Sequence, residues 1–306
     1  MALALLSARA ARAGDNDLEL WRLGNVDPIT ICTKCDGTDS TLVPGDKNAQ
    51  VRFARLTATL GLAFIPAFNE SENSLGQSGF ELGFVGQVAF PNLAAQDWAT
   101  SGTHATQSPP TALFLPTLRL RKGLGGSLEL GTAITYLSGS QILALTGEVR
   151  FSPVDGLAYA PDVAVRIYGT RVVGAESLDL TVGGIDLGVS KGFGVVGMVR
   201  LQPYGEAGMA FINAASGVID FNPGSVNVRD PTAQDGTFHT LRFFHNGYLR
   251  GALGLRVIAG AVVLGLEGGI ASGTNPSQTD SPAGYGPVPT ATATLWHASA
   301  HLGFAY

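Results

Sequence analysis

Charge is scarce in this chain: lysine, arginine, aspartate and glutamate make up 14% of its 306 residues, against roughly 25% in an ordinary soluble domain. Long apolar runs are missing too. Mean hydropathy is +0.21, yet no stretch reaches the roughly 18 apolar residues of a transmembrane helix. No helical period of 3.6 persists over a long window. There is no basic excess, the net charge being −5, which argues against a nucleic-acid partner. Calcium-loop, phosphate-loop, dinucleotide-fold and serine-hydrolase elbow patterns are absent. A hydrophobic chain without hydrophobic runs spreads its apolar residues along alternating strands, and glycine is abundant at 41 residues.

Segments of about ten residues with alternating polarity, separated by Gly, Pro, Asn, Asp and Ser, read as strands. From Arg55, Leu56, Ala58, Leu60, Leu62 and Phe64 share one face. In "FELGFVGQVAF", Phe80, Leu82, Phe84, Val88 and Phe90 oppose Glu81 and Gln87. Further strands are expected over 113–121, 127–137, 141–151, 162–170, 177–190, 199–211, 238–258, 262–271 and the C-terminal "LWHASAHLGFAY". The class is all-β. Around Gly183 and Gly184 the apolar phase slips by one residue, predicting a bulge.

One phase of these strands is apolar, and the other carries charge among many Gly, Ala and Thr. A soluble sandwich would also alternate. Two points favour a membrane barrel: the polar phase is thin, as a crowded interior requires, and the apolar phase is almost free of mid-strand charge. An arginine facing lipid at the midplane costs roughly 2–4 kcal/mol. Closure also removes strand edges, whose N–H and C=O groups lipid cannot satisfy.

From about Val51 to Tyr306 the chain resembles a Gram-negative outer-membrane β-barrel protein, whose last strand ends in an aromatic residue after apolar residues at alternate positions; Trp296, Leu302, Phe304 and Tyr306 match. The resemblance implies a transmembrane antiparallel up-and-down barrel in the cell outer membrane, with lipid as a partner. It also implies that Phe304 and Tyr306 belong to the signal read by the barrel-assembly machinery. Eleven strands are found, and such barrels have even counts, so twelve are expected, the missing one before residue 51. With 238–258 as one extended strand, the connections 91–111, 213–237 and 272–290 fall on one side; "KGLGG", "KGFG" and "IAG" fall on the other. Cutting at Asn246-Gly247 instead gives a hairpin.

"MALALLSARAARAGD" resembles the end of a secretory signal peptide cut after Ala13, although no basic residue precedes its apolar run. Residues 14–50 are expected on the periplasmic side of the first strand, as a plug or as that strand, and 51–306 as the barrel. The only cysteines, Cys32 and Cys35, form "CTKC"; with export, a disulfide across a short loop is expected. A redox motif lacks its strand-to-helix context, and a zinc site lacks two further ligands. No metal or cofactor is expected.

The lumen is expected to be lined by Glu81, Arg119, Arg121, Glu129, Glu148, Arg150, Arg166, Asp179, Arg200, Glu206, Arg250, Arg256, Glu267, His297 and His301, with Asp186 also on the polar phase. Such near-neutral lining suits either a closed Arg–Glu network or a constriction for small polar solutes. His297 and Ser299 form H-x-S, the spacing that the resemblance links to lipid A deacylation on a barrel strand. Those enzymes' pair faces lipid; here alternation turns both residues inward, and Glu267 is the nearest acid to orient the histidine. The tract 238–250 is expected as an aromatic girdle. The leading expectation is a passive channel or transporter; the alternatives are a filled structural or surface-interaction barrel and, third, a lipid-modifying hydrolase.

Overall fold

The computed structural model describes residues 14–34, 39–68, 74–100, 109–157, 159–197, 199–223, 232–275 and 290–306. The expected signal peptide at 1–13 and Cys35 lie outside the described residues, as does the side chain of Cys32. A hairpin of β1 (Ile29–Lys34) and β2 (Asp39–Val43) precedes helix α1 (Lys47–Ala63). Then come β3 (Phe80–Pro91), β4 (Leu113–Gly125), β5 (Leu128–Tyr136), β6 (Leu143–Val154), β7 (Asp162–Val173) and β8 (Leu178–Ser190). The short β9 (Phe193–Val196) leads to β10 (Val199–Ser216); β11 (Ile219–Asp220) and β12 (Asp235–Gly236) pair in the next connection. Last are β13 (Gly247–Ala259), β14 (Val262–Asn275) and β15 (Ala291–Ala305).

Ten strands close a ring in the order β13-β14-β15-β3-β4-β5-β6-β7-β8-β10, with β10 pairing back onto β13, all antiparallel. β9 lies outside the ring on β10. The seam between chain ends is tied by reciprocal backbone bonds, Phe80 N–H to Tyr306 O at 2.7 Å and Tyr306 N–H to Phe80 O at 2.9 Å. Long connections cluster at one end of the barrel, the loop end, and short ones at the other, the turn end.

The barrel therefore has ten strands, not twelve. No strand was missing: one of the eleven expected is a helix. Residues 55–64 alternate like a strand, but Thr57, Thr59, Gly61 and Ala63 are small and as deeply buried as Leu56, Leu60 and Leu62. A helix buried on every side needs no polar face. Its start is set by Asp46, whose side chain accepts from Asn48 N–H at 2.9 Å. Pro66 follows closely, and the residue before a proline is biased away from helix.

The barrel accordingly begins at Phe80, not Val51. Nor does the N-terminal segment lie at the turn end. Asn16 donates to Gly139 O at 2.8 Å and Thr30 to Ala233 O at 2.9 Å, both acceptors being in loop-end connections. From residue 14 the described chain crosses the loop end, descends through the lumen as α1, and is at the turn end before β3. There Leu75 N–H meets the Glu129 carboxylate and Gly123 N–H donates to Gly79 O at 3.0 Å.

Two further expectations are corrected. The stretch 238–258 is neither one long strand nor a hairpin, because β13 starts at Gly247 and 238–246 ends the preceding connection. The expected bulge at Gly183–Gly184 is absent: β8 pairs without a register shift on both sides. Leu180 and Val182 point inward and are buried, while Ile185, Leu187 and Val189 point outward and are exposed. The apolar phase changes because the surroundings change along the strand, not because the backbone slips.

That change divides the lumen in two. Toward the loop end the interior is apolar, with α1 packed among Leu115, Leu180, Val182, Ile212, Leu241 and Leu295. Phe53 of α1 stacks on Phe238 with ring centroids 4.6 Å apart. Phe238 and Tyr248 of the expected girdle are thus core, whereas Phe244 is exposed and packs on Phe211 at 4.9 Å. Toward the turn end the interior is ionic. Outside, a belt of exposed Leu, Ile, Val and Phe runs round the ring, including Phe84, Leu118, Ile134, Leu145, Ile167, Leu187, Leu264 and Phe304.

Candidate functional site

The ionic half of the lumen is built from inward positions of all ten ring strands, from Glu81 on β3 to His301 on β15. Alternation of the strand fixes which side chains enter; register decides which meet. Arg119 donates to both oxygens of Glu148 at 2.7 and 2.8 Å. Arg166 donates to Asp186 Oδ2 at 2.8 Å and lies 3.6 Å from Glu148, and Arg250 approaches Asp186 at 3.6 Å. Arg121 pairs with Glu129, Arg256 with Glu81, and Arg150 stands 3.8 Å from Glu129. His301 lies 3.6 Å from Glu81. Among the described inward strand residues, six arginines (119, 121, 150, 166, 250, 256) face seven acids (81, 129, 148, 162, 186, 206, 267). Charges buried this deeply persist only when paired.

The network also grips the chain below α1. Arg119 Nη1 donates to the carbonyls of Ala67 at 3.2 Å and Phe68 at 2.9 Å. Arg166 and Arg250 donate to Pro66 O at 3.4 and 3.2 Å. The same two guanidiniums lie over the Phe68 ring, 4.3 and 4.0 Å from its centroid. Gln87 donates to Ala63 O at 2.9 Å, and Phe68 N–H to Glu267 at 3.2 Å. Every helix end leaves carbonyls without intrahelical partners; here Gln87 supplies a donor to Ala63 O, and the arginines hold the carbonyls just beyond the helix. At the loop end, Gln50 exchanges two 2.9 Å bonds with the His239 backbone.

Glycine explains how bulky heads fit. Gly131 faces Glu148, Gly208 faces Asp186, Gly184 faces Tyr168, Gly254 faces Tyr204 and Gly269 faces His297, each directly across a strand pair. A Cβ at Gly131 or Gly208 would stand 2.1 or 2.0 Å from the carboxylate oxygen opposite. Each glycine vacates the space its neighbour's polar head occupies.

Of the expected lining residues, Glu81, Arg119, Arg121, Glu129, Glu148, Arg150, Arg166, Arg250, Arg256, Glu267 and His301 are buried inward, and Glu206 and His297 are half-buried inward. Asp179 is not lumenal: it faces outward near the loop end, paired with exposed Arg171. Arg200 is exposed at the turn end, beside β9. Asp179 sits at a strand end beyond the apolar belt, where charge can point outward, whereas Arg200 shares the phase of inward Gln202 and Tyr204 but stands at the exposed rim. His297 Nε2 lies 3.2 Å from Glu267 Oε1, whose other oxygen accepts from the Tyr204 hydroxyl at 2.8 Å. Ser299 is buried on the same inward face. The histidine and serine thus point into the filled lumen, away from the exterior. Sequence reasoning missed Gln87, Tyr168 and Tyr204 as network members, and missed the 66–68 backbone entirely. The tyrosines had a readable signal: each stands on the inward phase opposite a glycine.

These features define a closed, ten-stranded, up-and-down antiparallel barrel with an apolar exterior and a lumen filled by its own N-terminal segment. No family model matches the chain, and no curated protein does. Similar solved structures include the outer membrane protein OprG from Pseudomonas aeruginosa, at 10% identity over 78% of this chain and 99% of that one, TM-score 0.29. Neisserial surface protein A shares 12% identity over 74% and 95% of the two chains, TM-score 0.26. The translocator domain of the autotransporter NalP from Neisseria meningitidis shares 13% over 85% and 96%, TM-score 0.32.

Proposed function

We propose that this chain is a bacterial outer-membrane barrel with a closed lumen, acting as a structural or surface-interaction protein rather than as a channel. The carrying observation is the occupation of the lumen: α1 fills its apolar half, and Arg119, Arg166 and Arg250 clamp residues 66–68 across its ionic half. A near-balanced set of charges engaged largely in internal pairs leaves little for orienting a passing solute. The membrane part of the reading is supported by the outer belt, since soluble monomers rarely expose apolar patches beyond a few hundred Å², and by ring closure, which leaves no strand edge to lipid.

In this orientation the turn end is periplasmic and the loop end faces outward. Described residues 92–100, 109–112, 217–223 and 232–246, together with 14–34 and 39–46, then belong to the surface on which partners would act. Phe304 and Tyr306, both exposed outward on or just after β15, suit presentation to the assembly machinery. Planar-bilayer recording of the purified protein tests the closed lumen. No stepwise conductance is expected at either polarity; reproducible ohmic steps from the intact chain would restore the channel reading.

A further inference from the structure

On the outer wall, β13, β14 and β15 run side by side in register and are nearly bare at one height. Gly251, Ile270 and Trp296 form one outward row across them, and Leu253, Gly268 and Ala298 form the next. A Cβ at Gly268 would meet nothing closer than 4.0 Å, and one at Gly251 nothing closer than 3.6 Å. Leu253, at 75% exposure, and Trp296, at 56%, stand as walls around this floor. The result is a pocket of about 490 Å³, also lined by Ile270 and, from the inward row, by Glu206 and His297. The inward row is itself thin there, because Ala252 and Gly269 separate Glu206 from His297 across the strands. Its volume falls within the roughly 300–1,000 Å³ of small-ligand sites.

We propose that this pocket is a binding site for one acyl chain of a membrane lipid, entering sideways from the surrounding bilayer. The inference rests on the membrane reading above, because the pocket is continuous with the belt that reading places in lipid. Several observations fix the occupant. The lining residues on the outward phase are Gly251, Leu253, Gly268, Ile270 and Trp296, and the two polar ones, Glu206 and His297, belong to the inward phase, so the face open to the exterior is apolar. The glycine floor admits a chain to backbone depth, and Leu253 and Trp296 wall it on the outer face, so a chain lying there is held from the sides. Trp296 at the rim offers an indole edge beside the chain.

Native mass spectrometry of the purified barrel in detergent, titrated with dimyristoylphosphatidylglycerol, tests the site. The wild type is expected to retain one lipid per barrel at collision energies that strip the rest. Gly268→Phe fills the floor and should reduce that adduct at least tenfold. Gly147→Phe, an outward glycine on β6 with open space around it, should leave it unchanged. Equal retention by wild type and Gly268→Phe, no retained lipid, or a barrel dimer held through this face would each overturn the proposal. Insertion of all three proteins into lipid vesicles, read by protease protection, is scored separately. Failure of the wild type to insert sinks the membrane reading and this inference with it, while insertion without the adduct sinks the inference alone.

Discussion

Replacing Glu148 by alanine is the sharpest probe of the lumenal network. Glu148 is buried and accepts from Nη2 of Arg119 on both oxygens and from its Nε at 3.2 Å, with Arg166 a further 3.6 Å contact. Removal leaves Arg119 without its bidentate carboxylate and close to two other guanidiniums. Breaking a buried pair from one side costs about 3–5 kcal/mol. Glu148→Leu combined with Arg119→Leu removes both charges, and such apolar replacements are often close to neutral. Here the double variant also withdraws the donor to the Ala67 and Phe68 carbonyls, so it should retain a cost of about 1–3 kcal/mol. The exposed pair Arg171–Asp179 provides the scale: Asp179→Ala should cost below about 1 kcal/mol. Equilibrium urea unfolding of the vesicle-reconstituted barrel, followed by tryptophan fluorescence, reads all three. A Glu148→Ala cost within about 1 kcal/mol of zero, or a double variant worse than the single, would refute the reasoning.

Two further outcomes test packing and environment. Gly131→Val drives a Cβ to within 2.1 Å of the Glu148 carboxylate and should destabilise by about 1–3 kcal/mol, whereas Gly147→Val meets open space and should be nearly silent in the same unfolding assay. Leu118→Arg, on the outward face of mid-β4 at 54% exposure, should cost roughly 2–4 kcal/mol in a bilayer; a change within about 0.5 kcal/mol, the usual surface value, would mean that face stands in water.

The ten ring strands were legible because inward and outward environments differ so sharply that polarity alternates along each. Legibility failed where that contrast vanished. In α1 both phases are small or apolar, so a period of two could be read into a helix buried all round. At Gly183–Gly184 the contrast inverts, since the lumen passes from apolar to ionic while the exterior passes from the exposed Asp179 to the belt at Ile185. A one-residue slip and an inverted environment give the same string of letters. Asp179 and Arg200 were misplaced for a related reason: alternation assigns a face but not a height, so charge returns to the outer face beyond the belt at Asp179, and the inward phase runs out of lumen at the rim beside Arg200. The Arg119–Glu148 and Arg166–Asp186 pairings needed register, and the clamp on Pro66, Ala67 and Phe68 uses carbonyls, which every residue carries and no sequence advertises.

Strand number and plug are one physical fact. Eight strands enclose a lumen that side chains alone can fill; ten enclose more, and this chain supplies the excess from its own N-terminus. The filling is not readily displaced. Withdrawing α1 would expose Phe53, Leu56, Leu60 and Leu62, all buried, at about 1.5–3 kcal/mol each. Even the lower value amounts to about 6 kcal/mol before the apolar wall of Leu180, Val182 and Ile212 is wetted, and about 5.5 kcal/mol already corresponds to a 10⁴-fold bias in a two-state equilibrium. A solute-gated plug would need polar walls that water could occupy when it moved. The walls around α1 are those of a protein core, and in the ionic half Arg119, Arg166 and Arg250 hold residues 66–68 by their carbonyls, so both halves oppose withdrawal of the filling.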